Sequence, residues 1–321
     1  MENKKGLLLL NLGTPDNPTR GAVRKYLKEF LMDPQIVDLP YVFRWILVNG
    51  FISTFRARKK SLSYQKIWME GGSPLLVHTV MLADKAQKQL GENWSVRVGM
   101  RYGNPSIKSA LEVFKREGIA DISVFPLYPQ YAHATTGSCL EEVNKIMSMT
   151  AADEAKPRVI QPFYCAELFV GALAAAVAGV MAANDHDFVL FSFHGLPVRS
   201  GGSRDYQAQC GETARLAAAR LGLAPERYAV AFQSRFGFGE WLKPYTFDML
   251  ADLAIQGIKR IVVVCPSFVC DCLETLEEIG IRGRDLFIKA GGERLLLAPS
   301  LNSSDRWTDA LVRLTREAQC G

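Results

Sequence analysis

Asp187-Phe188-Val189-Leu190-Phe191-Ser192-Phe193-His194-Gly195-Leu196-Pro197 is the stretch from which the rest of the chain can be read. An apolar run long enough for a buried strand stops at a histidine, and glycine and proline break the chain just after it. Open α/β sheets place their working residues at the carboxyl ends of strands. A histidine in that position can have its pKa set near neutrality and so take or give a proton. The alternative is a strand-end histidine that only hydrogen-bonds a loop carbonyl.

Working outward, similar apolar runs alternate with helical patterns. Strands are expected at Gly6–Leu12, Trp94–Met100, Asp121–Phe125, Phe188–Phe193, Tyr228–Phe232 and Arg260–Cys265. Helices are expected at Pro105–Glu117, Ala166–Ala183, Gln207–Leu221 and Phe247–Gln256. Such alternation predicts an α/β fold with parallel sheets covered by helices on both faces. The two halves also look alike. Val96-Arg97-Val98-Gly99-Met100-Arg101 and Ala229-Val230-Ala231-Phe232-Gln233-Ser234-Arg235 are both strands ending in arginine. Each is followed by a helix, a Gly-Ile pair (Gly118-Ile119 and Gly257-Ile258), a strand broken by proline (Pro126 and Pro266) and a helix containing Leu-Glu-Glu. Two doubly wound, Rossmann-like halves are expected, 1–150 and 151–321, with a ligand cleft between them and a polar loop at Thr150–Lys156 as the boundary.

The bulk properties narrow the function. With 321 residues and 48% hydrophobic content the chain can bury a large core. Its formal net charge of +5 suits anionic small molecules or an acidic lipid surface. No dense Lys/Arg tract with interleaved aromatics is present, so nucleic acid is not an expected partner. Leu7-Leu8-Leu9-Leu10 is too short for a signal segment, and seven cysteines form no paired framework, so a cytoplasmic chain is expected. Tyr41 to Phe55 is strongly apolar and is followed by Arg56, Arg58, Lys59 and Lys60. It is shorter than the ~20 residues of a spanning helix. Its apolar residues lie nearly all round a helical wheel, which favours a covered helix. An apolar lip for a greasy ligand, or peripheral contact of residues 41–60 with an inner membrane, is the other reading.

A second segment supplies acids. Arg260-Ile261-Val262-Val263-Val264-Cys265 reads as a buried strand, and a helix is expected to start near Asp271. At 3.6 residues per turn Asp271, Glu274 and Glu278 would fall within roughly 60° of one another. Three carboxylates on one stripe repel unless a cation, a proton or a helix N-terminus compensates. Asp271 and Glu274 also fit an N-cap with a reciprocal Glu, although that reading leaves Glu278 unexplained. A histidine and a carboxylate at two strand ends can perform acid/base work or hold a divalent metal.

These residues sit within a set of ordered motifs. Leu9-Leu10-Asn11-Leu12-Gly13-Thr14-Pro15, Gly71-Gly72-Ser73-Pro74, Met100-Arg101-Tyr102, Tyr128-Pro129-Gln130-Tyr131, Ser192 to Pro197, Gln233-Ser234-Arg235 with Trp241, and Asp271-Cys272-Leu273-Glu274-Thr275-Leu276 resemble the ferrochelatase family, its proteobacterial branch above all. The resemblance implies the chelatase fold and a lyase that inserts Fe(II) into protoporphyrin IX to complete haem biosynthesis. It implies that His194 and Glu274 flank the metal and that Asp271 and Glu278 form an acidic path beside it. It further implies that Leu12, Arg101, Tyr102, Tyr128, Trp241 and Phe268 line the porphyrin pocket, and that residues 30 to 60 form its apolar lip. Whether His194 or Glu274 takes the pyrrole protons stays open.

The chain departs from the family in its cysteines. No cofactor beyond substrate iron is expected. A [2Fe–2S] cluster on Cys139, Cys265, Cys270 and Cys272 is the alternative, although their spacing is not a standard cluster signature. Tyr131-Ala132-His133 stands where the family has Tyr-Ser-Cys. Two competing functions remain: a non-catalytic tetrapyrrole or haem carrier, and a chelatase for another metal or a more carboxylated porphyrin. Leu12-Gly13-Thr14-Pro15 lacks the glycine spacing of a phosphate-binding loop.

Overall fold

The computed structural model describes residues 4–37, 39–150, 156–198, 202–236 and 239–320. The described residues hold the strands β1 (Lys5–Thr14), β2 (Trp94–Gly103), β3 (Ile122–Pro126), β4 (Arg158–Val159), β5 (Phe188–His194), β6 (Tyr228–Gln233), β7 (Arg260–Val264) and β8 (Arg294–Leu297). Around them lie helices α1 (Arg20–Leu31), α2 (Tyr41–Ile46), α3 (Ser53–Ile67), α4 (Pro74–Leu90), α5 (Ile107–Arg116), α6 (Ser138–Thr150), α7 (Glu167–Ala183), α8 (Ser203–Arg220), α9 (Thr246–Ile255), α10 (Arg284–Lys289) and α11 (Asp305–Cys320). Leu47–Ile52, His133–Gly137 and Leu273–Gly283 are π-helical, with the wider i→i+5 hydrogen bonding.

The strands sort into two all-parallel sheets, ordered β2-β1-β3-β4 and β6-β5-β7-β8. The orders are the same when counted from the start of each sheet, so the expected internal similarity is present in the topology. Both central strands are apolar along their length because both their faces are covered. Leu7 to Leu10 of β1 are fully buried, as are Val189, Leu190, Phe191 and Phe193 of β5. Each such side chain stabilises the fold by roughly 1.5–3 kcal/mol relative to exposure. Ser73 caps α4 through the backbone N–H of Leu76, and Pro74 sits where a missing N–H costs nothing.

Register in the second sheet is pinned by a charge. Asp187, just before β5, accepts from the backbone N–H of Arg260 at 2.7 Å and of Lys259 at 3.2 Å, and pairs with the Arg260 guanidinium at 2.8 Å. These hydrogen bonds, the Arg260 side chain first, hold its carboxyl below the usual carboxylate range. The first turn of register, Phe188 against Ile261, is thereby fixed.

The chain divides into two compact units. One comprises Met1–Leu127, His133–Gln161 and Leu311–Gly321; the other comprises Tyr128–Ala132 and Pro162–Ala310. The division thus falls after Gln161 instead of at residue 150, and the end of α11 returns to the first unit, where Gln319 donates to Ser123 at 2.6 Å. Residues 151–155 of the expected linker lie outside the described residues.

The apolar stretch after residue 40 departs from the covered-helix reading. Tyr41, Val42, Phe43, Trp45 and Ile46 of α2 are 50–65% exposed, and it is Arg44 that is buried. The Arg44 guanidinium donates to the carbonyls of Val37 and Leu39 and so closes the turn before α2. The helix presents its apolar side chains outward because its cation is needed inward. No described helix is long and apolar enough to cross a membrane.

Candidate active site

The end of β5 carries His194, and three neighbouring elements build around it. β5 pairs with β6 up to His194 against Gln233, but with β7 only up to Phe191 against Val264. Beyond Val264 the chain turns away at Pro266, which leaves one side of the β5 end without a strand. Ser267 and Tyr206 occupy that side. His194 donates its N–H to the Ser267 Oγ at 3.3 Å, and the Tyr206 hydroxyl donates to the His194 carbonyl at 2.9 Å. The Phe268 ring meets the imidazole at 6.1 Å between centroids and 64° between planes.

The next residue sets the imidazole's proton. His194 Nδ1 lies 2.7 Å from the Gly195 carbonyl oxygen, which can only accept. Nδ1 therefore holds the N–H, and in the neutral ring Nε2 keeps its lone pair. The loop-carbonyl reading of His194 thus holds for Nδ1, and it leaves Nε2 uncommitted to that bond. Gly195 is a glycine for lack of room. A Cβ there would sit 2.8 Å from the Gln233 carbonyl and 3.4 Å from the Trp241 ring. Trp241 is buried and held alongside by a short antiparallel ribbon, with Leu242 N–H donating to Leu196 and Val198 N–H to Glu240.

β6 joins the histidine to the acids. Gln233, buried at the strand end, takes the Ser192 hydroxyl on Oε1 at 2.7 Å and donates from Nε2 to the Glu274 carbonyl at 2.8 Å. One residue therefore lies beside His194 in the sheet and holds the start of the acidic helix. Ser234 follows with a left-handed φ of +66°, an unfavourable backbone for serine. Its N–H and hydroxyl both donate to the Glu278 carboxylate, at 2.8 and 2.9 Å, which offsets that cost.

The acidic helix differs from the expected one. It is an 11-residue π-helix, Leu273–Gly283, and its N-cap is Cys272 with Thr275 as the reciprocal partner, in place of Asp271 with Glu274. Asp271 lies before the helix, ahead of the extended N-cap Cys272, so the three acids do not form one helical stripe. The Asp271 carboxylate is buried and accepts from Thr275 Oγ1 at 2.9 Å, Asn302 Nδ2 at 2.7 Å and the Ser300 N–H at 3.3 Å. Glu278 is also buried and also approaches Arg282 at 3.7 Å. Glu274 is the half-buried acid of the three, and its side chain meets the Cys272 thiol.

In the first unit, Leu12 is half-buried on β1 and Tyr102 is buried at the end of β2. The Arg101 Nη2 and the Tyr102 hydroxyl both donate to Asp33 Oδ2, at 2.5 and 2.8 Å, while Arg101 Nε donates to Ser138 at 2.7 Å. Arg101 Nη1 is the guanidinium arm left facing outward, 3.9 Å from Glu142. Burial pushes the Tyr102 phenol far above its ordinary range, so it remains a donor. Asp33, Gln35, Arg101, Tyr102, Glu141 and Glu142 help line a cavity of about 600 Å3. Gly13 lets β1 pass this point, since a Cβ would lie 1.7 Å from the Tyr102 carbonyl. Tyr128, of the second unit, is half-buried at the head of a segment pinned to α8 by Gln130 to Thr213 and by Tyr131 to Gln209.

The cysteines of the cluster alternative are all buried, Cys139 in the first unit and Cys265, Cys270 and Cys272 in the second. Burial pushes the Cys265 and Cys272 thiols well up, toward the protonated form that does not bind metal. Among the described residues no three His, Cys, Asp or Glu side chains are grouped to hold a metal ion. Tyr206, Ser267, Asn302 and Asp33 carry no sequence signal, since each acts through a partner distant in the chain.

Comparison with known proteins adds lineage to this geometry. The family model described as ferrochelatase matches residues 4–319. Ferrochelatase of Coxiella burnetii (strain Dugway 5J108-111) is 42% identical, over 98% of this chain and 94% of that one. Ferrochelatase of Legionella pneumophila (strain Lens) is 43% identical, over 98% of this chain and 99% of that one. Among solved structures, SirB from Bacillus subtilis with Fe3+ aligns with a TM-score of 0.59 at 13% identity, covering 98% of this chain and 95% of that one. CbiX, the terminal enzyme for biosynthesis of siroheme in denitrifying bacteria, aligns at 0.52 and 14%, covering 98% and 99%. At those identities the two structures speak for the chelatase architecture alone. The family match and the relatives' identity run across both sheets and every strand end described above, and on that ground the chain belongs to the ferrochelatase family.

Proposed function

We propose that His194 and Glu274 carry the metal-insertion chemistry of this ferrochelatase, His194 as the proton acceptor and Glu274 as the carboxylate that meets the iron. The reaction inserts Fe(II) into protoporphyrin IX to give protohaem, the last step of haem biosynthesis. Iron and porphyrin are its substrates. Two pyrrole N–H bonds break, four iron–nitrogen bonds form, and two protons leave.

The observation that carries the assignment is the fixed tautomer of His194. With Nδ1–H donated to Gly195, Nε2 is the basic lone pair, on a ring only half-buried at a strand end. It accepts a pyrrole proton, passes it to solvent and returns for the second. Glu274 is the acid whose carboxylate the fold leaves least engaged, and it replaces water on the incoming cation. Asp271 and Glu278 hold the ends of neighbouring segments and act on Glu274 through the helix they fix. Phe268 beside the imidazole and Trp241 against Gly195 suit an apolar wall for the macrocycle in the second unit, and Leu12 and Tyr102 are apolar positions of the first. Bending the macrocycle in such walls turns a nitrogen lone pair toward the metal. The Nη1 arm of Arg101, 3.9 Å from Glu142, exchanges that contact for a propionate.

The exposed apolar helix α2 and the basic residues of α3 suit a lip that receives the porphyrin and rests on an anionic lipid surface. A spectroscopic panel tests the function: protoporphyrin and coproporphyrin, each with Fe(II), Zn(II) and Co(II). Metal-dependent loss of the free-base spectrum with protoporphyrin is expected. Binding of porphyrin with no turnover for any metal would make the chain a carrier, and turnover of coproporphyrin alone would reassign the substrate.

A further inference from the structure

At the end of β5 three polar groups close a ring of hydrogen bonds. His194 N–H donates to Ser267 Oγ at 3.3 Å, and the Tyr206 hydroxyl donates to the His194 carbonyl at 2.9 Å. The two hydroxyls lie 3.0 Å apart. Since the Tyr206 proton is already placed on the carbonyl, the Ser267 hydroxyl must donate to the Tyr206 oxygen. Each hydroxyl then donates once and accepts once around the ring, and the Cys210 thiol of α8 is a further partner of the Tyr206 hydroxyl. Tyr206 is buried, and burial pushes its phenol well above the usual range, which keeps the donor protonated.

The ring occupies the place of a missing strand. β7 pairs with β5 only as far as Val264, so the backbone N–H and carbonyl of His194 have no sheet partner on that side. Two side chains from α8 and from the turn after β7 supply what the third strand does not. This leaves the edge open beside the imidazole and still holds the backbone of His194 from both its polar groups. The Nδ1–H bond to Gly195 depends on that hold, because its acceptor is the next carbonyl in the same stretch of chain.

We propose that Tyr206 and Ser267 form a clasp that positions His194, with Tyr206 a positioning residue for proton removal that does not touch the porphyrin. The proposal rests on His194 being the proton acceptor. In the clasped state the backbone keeps Nδ1 aimed at the Gly195 oxygen. Released, the ring samples orientations in which that bond is broken. Losing it leaves Nε2 without a fixed direction toward the pyrrole N–H.

The test is Tyr206→Phe, which keeps the aromatic packing and removes one oxygen, and Ser267→Ala, which opens the same ring from its other member. Each is assayed for iron insertion into protoporphyrin in wild-type and His194→Ala backgrounds. The expected result is a fall of about tenfold in kcat with the porphyrin KM within about twofold, a range in keeping with a loss of aim in acid/base catalysis. In the His194→Ala background neither change lowers the residual rate further. Wild-type kcat in both clasp variants, with His194→Ala inactive, would overturn the clasp alone. Losses that add fully to those of His194→Ala would also overturn it, since the hydroxyls would then act elsewhere. Near-normal turnover in His194→Ala itself would instead overturn the reading on which the clasp rests.

Discussion

Gly195 and Asp271 show at the scale of single residues what the fold demands around His194. Gly195→Ala places a methyl 2.8 Å from the Gln233 carbonyl, a backbone atom that cannot swing aside. We expect a stability loss of about 1–3 kcal/mol from the overpacked turn, read from the denaturant midpoint, with iron insertion falling alongside. Asp271 and Glu274 should separate. Asp271→Ala strands the donors of Asn302, Thr275 and Ser300, so it should cost about 1–3 kcal/mol of stability. Glu274→Gln should leave the unfolding midpoint near wild type, since among the described residues the half-buried carboxylate meets only the Cys272 thiol, and on the proposed role it should reduce insertion at least tenfold. Equal effects of the two on stability would contradict the division of labour. His194 was legible because an apolar run stopped at it. The work of Asp271 was not, because Ser300 and Asn302 lie far along the chain and only the folded backbone brings them to it.

Elements were legible where they are long or buried. The six expected strands each exist, and β5 and β6 differ from expectation only by ending one residue later, at His194 and Gln233. β4 and β8 escaped notice, β4 with two residues and β8 with four at the sheet edges, too short to show a pattern. The π-helix could not be read, since a periodicity argument at 3.6 residues per turn presumes the α form. Asp187 gives a test at this scale. Its carboxyl is held below its ordinary value, so the folded chain binds that proton more weakly than the unfolded one. The resulting stability is complete above the unfolded pKa of about 3.9 and is lost as pH falls from there through the folded value. Asp187→Asn should be less stable than wild type at neutral pH, and the gap should narrow below about pH 4. Denaturant titrations at pH 7 and near pH 3.5 check this; a gap that widens in acid would contradict it.

For the whole molecule, composition and alternation indicated two similar α/β halves, and the repeated strand order bears this out. Where the chain divides was not legible, because the return of Leu311–Gly321 to the first unit leaves no mark on local sequence. The stretch after residue 40 left a covered helix and an exposed apolar face both open, since a helical wheel cannot tell that the one cation, Arg44, faces inward. Replacing Phe43 and Trp45 by serine should weaken sedimentation with anionic vesicles several-fold, with stability little changed because both side chains are more than half exposed. Unchanged sedimentation would remove the membrane from the account. The central claim, that a strand-end imidazole takes the pyrrole protons, is tested most directly by His194→Ala under single-turnover conditions, following porphyrin binding by fluorescence and iron insertion by absorbance. Binding within a few-fold of wild type with insertion slowed at least about a hundredfold is the predicted result; insertion at a near-normal rate would contradict it.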